Sequence, residues 1–143
     1  MKKQIILITA CLFLLTFISF AAQPLPDATS SENYTGVVIV AKDMGLKPTF
    51  SPLIYDEAGN IVYGDKNIDP DFAIKQGMVE YNSLEVALSG NSRAGAKPLV
   101  VNALKVSDNN YSPVISNDDA QKIAAANAQN EFLAKCAVVF ARE

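Results

Sequence analysis

The 143-residue chain contains no histidine and no tryptophan, and only two cysteines. Without histidine, the commonest general base and the commonest metal ligand are both missing. A Ser–His or Cys–His nucleophile pair is therefore excluded. A lysine could still serve a serine as base, but no Ser-x-x-Lys spacing occurs. Gly90 and Gly95 share a loop that lacks the Lys-Ser/Thr ending of a phosphate-binding turn. Beyond Lys2-Lys3 no basic residues cluster, so the charge footprint of a nucleic-acid binder is missing. Internal repeats and low-complexity tracts are absent too.

One long apolar run is present, and it lies at the N-terminus. Lys2 and Lys3 precede Ile5 to Phe20, and Ser19-Phe20-Ala21 places small residues where a signal peptidase reads them. The run is short and no basic stop-transfer cluster follows, so residues 1–21 read as a secretory signal peptide. Lipidation at Cys11 would leave an apolar core of only Ile5 to Thr9, which disfavours a lipoprotein site. Membrane attachment is expected only through an uncleaved or lipidated N-terminus. Removing residues 1–21 takes away Lys2 and Lys3, leaving 10 basic against 15 acidic residues, a net charge of −5. It also leaves Cys136 as the one cysteine, which is either buried in its apolar run or open to an intermolecular bond. The apolar run favours burial.

Residues 22–33, rich in Pro, Ser, Asp and Asn, read as a flexible lead-in to a single domain over 34–143. Thr35 to Ala41 reads as a buried strand. Phe50 to Tyr55 reads as a strand placed at an edge, bulge or beginning by Pro52. Leu53-Ile54-Tyr55 and Ile61-Val62-Tyr63 flank a hairpin loop that Gly59 can turn. Asp69-Pro70-Asp71 opens a short helix that Gly77 closes. Met78 to Tyr81 is a brief extended piece, and Leu84 to Leu88 is a strand or a helical turn. Leu99 to Val106 reads as a core strand. Ser116 caps a helix from Asn117 to about Ala134, whose apolar stripe slips at Asn127. Cys136 to Ala141 closes the chain as a strand. This order predicts an α+β fold: a mostly antiparallel sheet, a short middle helix and a long C-terminal helix.

Three sites stand out. Asp65, Asn67, Asp69 and Asp71 place oxygens at alternate positions, as the start of a calcium loop does. Pro70 occupies the place of its turn glycine, and Gln76 that of its bidentate acid, so a solvated loop with a helix cap is the preferred reading. The loop Asn91 to Lys97 could hold an anion with Arg93 and Lys97, but reads better as a mobile connection. Lys42, Lys47 and Tyr55 form a candidate interaction surface, and Tyr34, Tyr55 and Tyr63 could mark a recognition face.

The stretches YTGVVIVAKDMGLKPTFSPLIYDEAGNIVYG, DPDFAIKQGMVEY and RAGAKPLVVNALKV together resemble a domain of exported bacterial proteins. They are similar to the outer-membrane lipoprotein and flagellar assembly family that contains flagellar assembly proteins P and T. Where that family reads Thr-Gly, apolar residues and Asp-Ala-Arg-Gly-Leu, this chain has Val40 for the acid, Lys42 for the arginine and Asp43 for the glycine. The resemblance implies a non-enzymatic structural or interaction domain that binds an envelope or flagellar protein. It would act in the periplasm or at the outer membrane, and no cofactor is implied. The alternative expectation is a periplasmic module that binds a small ligand or cation at Asp65–Asp71.

Overall fold

The computed structural model describes residues 32–143. The expected signal peptide, 1–21, and most of the expected lead-in, 22–33, lie outside the described residues. The elements are β1 (Gly36–Val40), β2 (Ile54–Asp56), β3 (Ile61–Tyr63), α1 (Pro70–Gln76), β4 (Glu80–Asn82) and α2 (Leu84–Ala87), followed by β5 (Pro98–Asn102), β6 (Lys105–Val106), β7 (Pro113–Ile115), α3 (Asn117–Asn130) and β8 (Val138–Ala141). They form two four-stranded sheets, ordered β4-β8-β1-β5 and β3-β2-β7-β6.

The fold is α+β as expected, but the sheets correct the antiparallel expectation. Every pairing in the first sheet is parallel. The second is mixed: β2–β3 and β6–β7 are antiparallel, and β2–β7 is parallel. The physical reason lies in β1. Val37, Val38 and Ile39 are all buried, because the strand is central and covered on both faces. A continuous apolar run is the signature of such a parallel strand, whereas alternation marks a half-solvated antiparallel one. On one face Val37, Ile39, Val138 and Phe140 join Ile54, Tyr63 and Ile115 of the second sheet, together with Ile123 and Leu133. On the other, Val38 and Val139 pack against Ala87 and Ala94.

Thr35 and Gly36 show why that second face closes so tightly. Thr35 Oγ1 donates to Ala94 O at 2.6 Å and accepts from Lys97 N at 3.0 Å. A Cβ on Gly36 would sit 2.5 Å from Ala137 O and 2.6 Å from Ala94 Cα. The glycine is therefore fixed by close backbone approach. The loop at Asn91–Lys97 is likewise built in: Ser92 is buried, and the Arg93 guanidinium donates to Gly77 O at 2.8 Å and to Gln76 O. Those bonds cap the end of α1, so Arg93 serves the helix and the loop is no free connection.

Local signals placed several boundaries well. Asp69 caps α1 by accepting from Asp71 N, Pro70 occupies its first turn, and Gly77 ends it with φ 79°. Gly59 turns the β2–β3 hairpin with φ 83°. The predicted Leu99–Val106 strand is divided. Ala103 N donates to Val40 O in the first sheet, and Leu104 N donates to Val114 O in the second. The chain changes sheets between two adjacent residues. The first strand of the hairpin is also shorter than expected, since Phe50 lies outside β2 and is 98% exposed. α3 stops at Asn130 rather than near Ala134, because Asn127 Oδ1 accepts from Leu133 N at 2.9 Å and turns the chain. The residue at which the apolar stripe slipped is the one that ends the helix.

Candidate functional site

The β2–β3 hairpin and α3 enclose a furrow with a cavity of about 680 Å³. Its shape follows from local chemistry at each end. Asp56 accepts from Asn60 N at 2.8 Å and from Asn60 Nδ2 at 2.9 Å, which sets the hairpin loop. The Asn60 bonds hold the Asp56 carboxyl below its ordinary value, since they favour the charged form. Next in the loop, Glu57 Oε2 accepts from Asn117 N at 3.2 Å, tying the hairpin tip to the start of α3. Asn127 and Leu133 form the far end. On the side wall, Asn67 Nδ2 donates to Val62 O at 3.1 Å, so the loop after β3 closes onto that strand's outer edge.

The floor is apolar and small-featured. Ala120, Ala124 and Ala128 recur every fourth residue along α3, opposite Ile61 and Val62. Four-residue spacing keeps them on one helix face. Amides from Asn60, Asn67, Asn117, Gln121 and Asn127 rim the cavity, and Asp56 is its one lining carboxylate among the described residues. Among the described residues, hydroxyl, thiol and amine side chains are missing from the lining. Such a surface offers apolar contact and paired donors and acceptors, with no nucleophile beside a base. Two smaller hollows adjoin it. One shares Asn60, Ile61 and Asn67 and adds Asp65 and Lys66. The other shares Asn67 and Asn127 and adds Asp69 and Glu131.

The residues expected to carry function are distributed as follows. Asn67 lines the furrow, and Asp65 and Asp69 line its adjoining hollows; Asn67 and Asp69 are turned to structural tasks. Asp69 Oδ1 accepts from Asp71 N at 2.9 Å, and Asn67 presents its Nδ2 donor to Val62. Among the described residues, no group of three or more His, Cys, Asp or Glu could hold a metal ion. Lys42 and Lys47 are exposed on the connection that leaves β1, where Lys47 N donates to Asn110 O at 2.7 Å. Tyr55 lies elsewhere, half-buried in β2 beside Ile61 and Val114. Tyr63 is a core residue: it is fully buried and its hydroxyl donates to Met78 O at 2.5 Å. Cys136 is buried, as its apolar neighbours suggested. The furrow itself was not anticipated; its one sequence signal is the Ala120-Ala124-Ala128 spacing with amides beside it.

No curated protein matches the chain. Residues 36–143, from the first residue of β1 to the end, match the family described as Treponema pallidum Tp0624, second domain. That span takes in both sheets, all three helices and every residue of the furrow, so the chain belongs to the family of the Tp0624 second domain.

Proposed function

We propose that this domain is a non-enzymatic interaction module of the cell envelope, and that the furrow between the β2–β3 hairpin and α3 is its contact site. The observation that carries the reading is the furrow's lining. Amide and aliphatic groups surround a single carboxylate already bracketed by Asn60, in a chain without histidine. Such a surface holds a ligand and leaves it unchanged. The export signal in residues 1–21 and the resemblance to the outer-membrane lipoprotein and flagellar assembly family support a periplasmic or outer-membrane setting, with an envelope or flagellar protein as partner. Among the described residues no helix is long and apolar enough to cross a membrane.

The test places a photo-reactive amino acid at Gln121 or Ala124 of the full-length chain in its own cells, with Lys75 on α1 as the control position. The reading expects a discrete protein adduct from the two furrow positions after irradiation. Adducts from Lys75 alone, with none from the furrow, would overturn it. Mass spectrometry of the N-terminus tests export in the same preparation, because cleavage after Ala21 leaves Ala22 first.

A further inference from the structure

We infer that the furrow takes a basic polypeptide segment in extended conformation, supplied by a partner protein. This rests on the contact reading above and names the chemistry of the partner. Dimension argues for an extended chain. The lining positions of α3 run from Asn117 to Ala128, about 16 Å at the helical rise, which about five residues of extended strand would span. The alanine row repeats at about 6 Å along the helix axis. Alternate side chains on one face of a strand repeat at about 6.6 Å, so successive side chains of a bound strand can seat between neighbouring alanines. The amides on the rim offer both donors and acceptors, as a peptide backbone requires.

Charge argues for the sign. Among the described residues, Asp56, Asp65, Asp69 and Glu131 border the furrow and its adjoining hollows, against Lys66. Glu131 is placed against local preference twice over. It adopts a left-handed conformation, φ 50°, and it puts an anion at the C-terminal end of α3. A glycine there would suit both backbone and dipole, and the chain instead keeps a carboxylate beside the hollow. Among the described residues the lining contains no aromatic ring, which argues against a stacked sugar as ligand. Complementary charge also steers association, and its contribution falls with salt.

Fluorescence anisotropy with the full-length chain tests this, using a labelled octapeptide of alternating lysine and valine. Comparators are the alternating glutamate–valine octapeptide and a tetramer of N-acetylglucosamine. The expected result is saturable binding of the lysine peptide alone, weakening several-fold between low and moderate salt. Glu131→Gln with Asp65→Asn should weaken it several-fold, and Ala124→Trp, which fills the floor, should abolish it. No binding of the lysine peptide at millimolar concentration, or binding unaffected by these substitutions, would overturn the inference. So would preferential binding of the glutamate peptide or the sugar, or self-association of the chain that Ala124→Trp blocks. If those results came with furrow crosslinks intact in cells, only the ligand class would fall. Loss of the crosslinks would remove the contact reading itself.

Discussion

Gly36 carries more of the fold than its size suggests. It lies where β1, the Ala94 loop and the Ala137 backbone meet, and its missing Cβ is what lets them meet. A methyl group there would lie 2.5 Å from one carbonyl oxygen and 2.8 Å from another, and neither belongs to a flexible side chain. Gly36→Ala should therefore destabilise by about 3 kcal/mol or more, at the upper end of overpacking costs, as read by urea denaturation. Glu131→Gly should act in the opposite direction. It relieves a left-handed non-glycine residue and removes an anion from a helix C-terminus, so a gain of about 1 kcal/mol is expected in the same assay. Tyr63 supplies a pH dependence. Burial pushes its phenol above the ordinary 10.0, so the native state favours the protonated form. That contribution is complete below about pH 10 and is lost as pH rises beyond it. Tyr63→Phe should cost about 1–2 kcal/mol at neutral pH through the unpaired Met78 carbonyl. It should also flatten the decline in melting temperature above about pH 10 relative to the parent.

At the scale of elements, the caps are the best-defined features. α1 buries none of its residues, so it is held by its ends: Asp69 at the start, Gly77 and the Arg93 guanidinium at the finish. Arg93→Ala should release that helix locally. Faster amide exchange over residues 73–77 is expected, with little change in global unfolding, because a weakly packed element opens on its own. Equal acceleration across β1 would contradict this. These helix ends were legible in the sequence because capping chemistry is local: Asp-Pro-Asp, a terminal glycine and Ser116 three residues before Asp119 all signal without tertiary context. Strand partners were not legible. A strand carries no mark of its neighbour, and the parallel pairing of Val37 with both Leu99 and Val138 brings together residues far apart in the chain. The corner at Ala103–Leu104 was equally silent, since no glycine or proline marks it.

At the scale of the whole molecule, the site is assembled from separate stretches: the hairpin at 56–62, the loop at 65–67, and α3 with the turn that follows it to Leu133. Sequence reading singled out part of the loop as a calcium-like pattern. It missed the furrow because amides and alanines carry no chemical signature until a fold brings them together. The Asp65–Asp71 loop borders the cavity after all, although Asp69 is spent on a helix cap and Asn67 on the edge of β3. The Thr35-Gly36 pair of the resemblance motif was legible as a motif, and the fold gives its reason in the latch with Ala94 and Lys97. The central claim is that the furrow is the working surface. Hydrogen exchange of the full-length chain, with and without an envelope fraction from its own cells, tests it most directly. Slowed exchange concentrated at residues 57–67 and 117–131, abolished by Ala124→Trp, is the predicted result; unchanged exchange there with protection around Lys42 and Lys47 would contradict it.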